Sequence, residues 1–131
     1  MTISLRFAAR SDVGLVRQSN QDSGYAGPHL CVLCDGMGGP VGGDIASAVA
    51  VQPRMPLDAD SHQAGELLGL MRDAVQAAHT ELVTLSSQDP DLAGLGTTCI
   101  GVMCSGNKLA MVHVGDSRAY MLRDGTLTQV T

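Results

Sequence analysis

Aromatic side chains are nearly absent from this sequence, which has no Trp, two Tyr and one Phe in 131 residues. A core must therefore be built from Val, Leu, Ile, Met and Ala, at a length that suits one domain and not two. Basic residues are also few. Eight Lys and Arg against thirteen Asp and Glu leave a net charge of −5. The basic positions are scattered, which argues against a nucleic-acid surface, because phosphate backbones are bound by clustered cations. No apolar run reaches the roughly 20 residues of a membrane helix. The opening "MTISLRFAAR" has two Arg and no uninterrupted apolar stretch, so it does not read as a signal peptide. The expectation is a soluble, cytoplasmic protein. Also missing are a G-x-x-x-x-G-K phosphate loop, an H-E-x-x-H helix and a G-x-S-x-G elbow.

The four cysteines are Cys31, Cys34, Cys99 and Cys104. A C-x-x-C pair suggests zinc or redox chemistry, but within "LCVLC" a strand would turn Cys31 and Cys34 to opposite faces. Cys99 and Cys104 are likewise an odd number apart in one strand, so all four read as small buried hydrophobes.

Residues 3–9 alternate weakly, as an edge strand would. Residues 11–22, "SDVGLVRQSNQD", form a polar link hinged at Gly14. "HLCVLCD" reads as a strand buried on both faces. "GGDIASAVAVQ" suits a helix, with Asp44 near its positive end and Pro53 stopping it. A long helix is expected over residues 61–87 with Ser61 as N-cap. Its apolar stripe is Ala64, Leu67, Leu68, Met71, Val75, Ala78, Leu82 and Leu85. Glu66, Arg72, Asp73, Gln76 and Glu81 fall elsewhere on its surface. After the "DPDLAGLG" loop come two hairpins, "TTCIGVMC" with "KLAMVHVGD", and "SRAYMLR" with "TLTQVT". Four strands in a meander preceded by a helical pair indicate an α+β layered fold with antiparallel sheet, in one domain without repeats or linkers.

Three carboxylates stand where strands meet turns: Asp22 in "NQD", Asp35 in "CDGMGG" and Asp116 in "VGDSR". Clustered carboxylates repel unless a cation lies among them, and an all-oxygen donor set suits Mg²⁺ or Mn²⁺ rather than zinc. The Gly36 carbonyl is a further candidate oxygen ligand. Arg17, the basic residue near Asp22, offers a guanidinium fork for two phosphate oxygens. Taken singly, each has a plainer reading. Asp22 can cap a turn, Asp116 can pair with Arg118, and His113 can be an edge histidine, with His29, His62 and His79 in loops or on the surface. Thr97 and Thr98 read as residues entering a strand.

In this order, "SDVGLVRQSNQDS", "CDGMGG", "LGTTCIGV" and "HVGDSRAYMLRDGTLTQVT" resemble the metal-dependent protein phosphatases of the PP2C (PPM) family, in particular its bacterial serine/threonine phosphatases. The resemblance implies an αββα sandwich of antiparallel sheets flanked by helices, of which residues 1–131 would be a truncated, N-terminal portion. It implies two Mn²⁺ or Mg²⁺ ions, with a third held more weakly. Asp35 matches the aspartate bridging the two ions, and Gly36 the residue whose carbonyl binds one of them. Asp22 matches the acidic end of the first motif, Asp116 an aspartate associated with the third ion, and Arg17 the arginine that holds the substrate phosphate. Phosphoserine and phosphothreonine proteins and a bacterial Ser/Thr kinase are the implied partners. Gln21 stands where some relatives have a ligand Glu, Pro40 where bacterial ones have His, and Gly43-Asp44 where Gly-Glu is usual. Two later aspartates of the family pattern have no counterpart before Thr131. The rival reading is a non-catalytic module that binds a partner or phosphopeptide.

Overall fold

The computed structural model describes residues 3–131, apart from the side chains of residues 39–41. The expectation attached to the side chain of Pro40 thus lies outside the described residues. Strand β1 (Asp22–Ala26) and β2 (Leu30–Met37) form a hairpin, followed by helix α1 (Gly39–Val51), helix α2 (Leu67–Gln88), a short β3 (Gly96–Thr97), β4 (Cys99–Ser105) and β5 (Lys108–Val114). A last hairpin joins β6 (Tyr120–Arg123) to β7 (Thr126–Gln129). The main sheet runs β1-β2-β4-β5, with β3 beside β2, and every pairing is antiparallel. The α+β class is as expected.

Alternation along the strands assigns the faces. Leu30, Met103 and Ala110 point to the helix side, where they pack with Leu67 and Met71 of α2. Cys34 packs with Ala50 and Val51 at the end of α1. Burying a side chain such as Leu67 or Met103, each about 1% exposed, stabilises the fold by roughly 1.5–3 kcal/mol. With so few aromatics, these aliphatic contacts carry the layer.

Several expectations change. Residues 3–9 are not a strand; Ile3 N–H donates to the Gly106 carbonyl, and no ladder supports the weak alternation. β2 is not buried on both faces, since Leu33, on the side away from the helices, is 45% exposed. Helix α1 begins earlier than its polar start suggests. Asp44 therefore falls past the first turn and accepts the Ile45 N–H at 2.9 Å instead of countering the helix dipole. Pro53 does not end the helical path, which continues as a 3₁₀ segment, Gln52–Leu57. Ser61 caps nothing, because α2 is entered through a 3₁₀ turn, Ala64–Glu66. In the α2 stripe Leu67, Met71 and Leu82 are buried, while Leu68 is 64% exposed. The meander is also broken: β6 and β7 pair with each other and form their own two-stranded sheet. Their turn places Asp124 and Gly125 at φ 53° and 78°, the double left-handed geometry that a two-residue hairpin favours.

One glycine fixes how α1 meets the sheet. A Cβ on Gly36 would lie 1.7 Å from the Gly43 carbonyl oxygen of α1, so helix and strand touch backbone to backbone. Replacing it with Ala should cost about 2–3 kcal/mol by overpacking. Gly69, in α2 with open space around it, should gain about 1 kcal/mol as Ala from helix propensity. Chemical denaturation of both variants, read by far-UV circular dichroism, should shift the midpoint in opposite directions.

Candidate metal and phosphate site

Asp22 and Asp35 are direct cross-strand partners in the β1–β2 ladder. The next pair, Ser23 and Cys34, faces the helices, for Ser23 and Ser47 of α1 hydrogen bond through their hydroxyls at 2.9 Å. The two carboxylates therefore project from the opposite face. Like charges held opposite each other in a ladder destabilise it. The Asp35 carboxyl is accordingly held above its ordinary range. Desolvation by its surroundings leads, then the charge and hydrogen bonding of Asp22, then the charge of Asp116. Arg17 is the one group that pulls it back. An oxygen-binding divalent cation would relieve the same repulsion, so the donor set fits the ion that the pattern implies.

The backbone at Asp35 is tied down from β2's other neighbour. Asp35 N–H donates to Thr98 Oγ1 at 2.9 Å, and Thr98 N–H donates to the Asp35 carbonyl at 2.9 Å. Thr98 is 5% exposed, and its hydroxyl also shares a 2.7 Å hydrogen bond with Ser117. Ser117 adjoins Asp116, and its carbonyl lies 3.1 Å from His113 Nε2. The intervening turn is tight, with Gly115 at φ 94° and space for a Cβ closed by Thr98. One buried threonine thus joins the strand of Asp35 to the turn of Asp116. Thr98 and Ser117 were not among the residues expected to serve the site. The "TT" before an apolar strand was the available signal, and strand propensity explained it equally well.

Gly36 has a reason for lacking a side chain other than room for an ion: α1 occupies that space. Its N–H donates to the Gln21 carbonyl at 3.0 Å, continuing the β1–β2 ladder. Arg17 lies on the exposed turn after Gly14, whose N–H donates to Asp12 Oδ1 at 2.8 Å. Arg118 is directed at the Tyr120 hydroxyl, 3.4 Å away, and not at Asp116. Among the described residues no three His, Cys, Asp or Glu side chains converge closely enough to hold a metal ion. The structure brings Asp22 and Asp35 together and leaves Asp116 as a neighbour felt through its charge. A cavity of about 540 Å³ lies between residues 8–12 and Asp22, Ser23, Gly24 and Leu33. A larger one, about 660 Å³, lies under α2 on the apolar side of the sheet, away from the carboxylates.

The protein phosphatase 2C family model matches residues 12–131. Over all 131 residues the chain is 47% identical to the serine/threonine protein phosphatase PstP of Mycobacterium tuberculosis and spans 25% of its length. It is 33% identical to the serine/threonine phosphatase stp of Listeria welshimeri, with 93% of this chain aligned to 52% of that one. The crystal structure of the M. tuberculosis PstP superposes with a TM-score of 0.92, over 98% of this chain and 55% of that one. The catalytic domain of PstP in complex with two manganese ions gives the same TM-score of 0.92 at 48% identity.

Two measurements check the geometry. Thr98→Val leaves the Asp35 N–H without its acceptor and should cost about 1–3 kcal/mol, whereas Thr98→Ser, which keeps the hydroxyl, should cost less. Second, an acid whose folded pKa is raised keeps its proton in the fold where the unfolded chain has lost it. Metal-free stability should therefore fall as pH rises from about 3.8 through the raised Asp35 value, then level off. Asp35→Asn removes that fall, and at pH 7 in chelator it should melt a few degrees above the wild type, for about 0.2–1 kcal/mol of relieved repulsion. Thermal melts of both proteins between pH 4 and 7 give the difference directly.

Proposed function

The chain belongs to the protein phosphatase 2C family, and from that premise we propose that the protein is a metal-dependent protein serine/threonine phosphatase. Residues 1–131 would form the N-terminal portion of one catalytic domain of this family. The observation that carries the reading is the cross-strand pair of Asp22 and Asp35, a repulsive arrangement with a cation-binding donor set, in a chain whose family match spans both.

Asp35 and the Gly36 carbonyl are proposed to hold two Mn²⁺ or Mg²⁺ ions, with Asp22 at their edge and Asp116 at a third, weaker position. The two manganese ions in the similar PstP catalytic domain support that choice. Such ions, when bound, make water nucleophilic near neutral pH and offset charge developing on phosphorus-bound oxygens. The chain's own part is to fix the donors. Thr98 holds the Asp35 backbone from one side and the ladder to β1 from the other, so the carboxylate does not have to be ordered at each turnover. Arg17 would grip two phosphate oxygens of a phosphoserine or phosphothreonine side chain. Its exposed turn leaves room for a protein substrate, with Leu15 and Val16 exposed beside it. A bacterial Ser/Thr kinase acting on the same substrates, in the cytoplasm, is the proposed setting. Among the described residues no helix is long and apolar enough to cross a membrane.

The test is Mn²⁺-dependent phosphate release from a phosphothreonine peptide. Activity should vanish with chelator and in Asp35→Asn. Arg17→Ala should lower kcat/KM by about 10–100-fold, the worth of a charge-assisted bidentate hydrogen bond. A wild-type protein that binds the peptide yet releases no phosphate with Mn²⁺ or Mg²⁺ would replace the enzyme reading with that of a binding module.

A further inference from the structure

The thiols of Cys34 and Cys99 meet on the helix side of the sheet. β2 pairs with β4 at Leu33–Ile100 and with β3 at Gly36–Thr97 in one continuous register, which sets Cys34 opposite Cys99 and Asp35 opposite Thr98. The Asp35–Thr98 pair exchanges a backbone hydrogen bond, so in an antiparallel ladder the adjoining Cys34–Cys99 pair is the non-hydrogen-bonded kind. Such pairs hold their Cα atoms about 4.5 Å apart, within the roughly 4.4–6.8 Å that a disulfide spans. Cys34 is wholly buried, and Cys99 packs against it. The sequence spacing hid this pair, because it lies across the sheet and not in the C-x-x-C motif.

The surroundings distinguish these two thiols from the others. Arg54, in the 3₁₀ segment that follows α1, uses Nη2 for a 2.7 Å ion pair with Glu81 of α2, while its buried Nε has no partner among the described residues. The Cys34 hydrogen bond, and then the Arg54 charge, bring the Cys99 thiol below its ordinary value against the opposing effect of burial. Arg54 and Cys99 both line the 660 Å³ cavity under α2, wide enough for a small oxidant. Cys31 and Cys104 lie on the far face, with their Sγ atoms 3.8 and 3.4 Å from the carbonyls of Gly27 and Pro28. They sit opposite Val102 and Leu109, not opposite each other.

We propose that Cys34 and Cys99 are a peroxide-responsive dithiol that closes into a reversible disulfide between β2 and β4, one residue from Asp35. Cys99 sulfur attacks one oxygen of hydrogen peroxide, the S–O bond forms as O–O breaks, and the departing hydroxide takes up a proton as water. Cys34 sulfur then attacks the Cys99 sulfenic acid. The S–S bond forms, the S–O bond breaks, and the Cys34 proton leaves with the hydroxide as a second water. Two thiols lose two electrons in all, and one peroxide becomes two waters. The inference does not depend on the phosphatase reading.

The pre-reduced native protein is treated with hydrogen peroxide, quenched with N-ethylmaleimide, digested without reductant and mapped by fragmentation mass spectrometry. Cys34 and Cys99 should be joined, Cys31 and Cys104 alkylated, and dithiothreitol should restore all four thiols. The double variant Cys31→Ala/Cys104→Ala should still form the bond. In Cys34→Ala, dimedone should tag Cys99. Free alkylation of Cys34 and Cys99 after peroxide, a bond to Cys31 or Cys104, or over-oxidation without a bond overturns the proposal.

Discussion

Two carboxylates fixed face to face by a backbone ladder are the constraint around which this structure is arranged. Asp22 and Asp35 cannot separate without breaking the β1–β2 register, and that register is also what aligns Ser23, Tyr25 and the helix-side face. A flexible acidic loop would relieve its repulsion by moving apart; a ladder cannot. The repulsion is therefore retained in the metal-free fold, and the neighbouring elements serve to hold it. Thr98 grips Asp35 through two hydrogen bonds and passes the restraint to Ser117 and the Asp116 turn. The β1–β2 turn is held just as firmly at its far end, where Asp58 accepts the Tyr25 hydroxyl and the His29 N–H.

The helix layer makes that rigidity affordable in a chain almost without aromatics. Leu, Met and Ala side chains make a thinner core than rings do, so close approach of backbones replaces bulk. Gly36 against Gly43 is the clearest case, and Gly101 makes room in the same way for Met71 of α2 and Val112 of β5. The Arg54–Glu81 pair joins the 3₁₀ segment after α1 to α2. A glycine that looked suited to admitting an ion next to Asp35 is thus first a packing glycine, and the precision of the site follows from that packing.

Much of this was legible in the sequence because the signals were local and strong. The heptad-like run of α2, the continuous apolar β2 and the two hairpins with Gly-containing turns are periodic enough to be read without partners. The motif order pointed to the family. What was missed depends on partners that sequence order does not reveal. β1, "DSGYA", has almost no apolar alternation and is a strand because β2 supplies a ladder. Residues 3–9 alternate better and are not a strand, because none of the described strands pairs with them. Leu68 sits one step off a stripe whose real centre is Leu67, Met71 and Leu82. The division between β5 and β6 follows from the tight Gly115 turn against Thr98, a contact between positions that are far apart in the chain. The role of Thr98 was invisible for the same reason.

Strand alternation also keeps two incompatible chemistries apart. Cys34 and Asp35 are adjacent in β2, and Cys99 and Thr98 are adjacent just before and within β4, yet each pair divides between the two faces of the sheet. Thiolates are soft donors that favour zinc and copper over the hard ions an oxygen site takes. A cysteine shifted by one residue would put sulfur among the carboxylates and change which metals that face suits. Placed as they are, the sulfurs share only backbone with the acidic face. Any change in the spacing of β2 and β4 at Cys34 and Cys99 then reaches Asp35 through the backbone it shares with Cys34 and through the hydrogen bonds of Thr98, and not through contact of a sulfur with the acidic face. The sheet is at once the insulator between the two faces and the mechanical link between them.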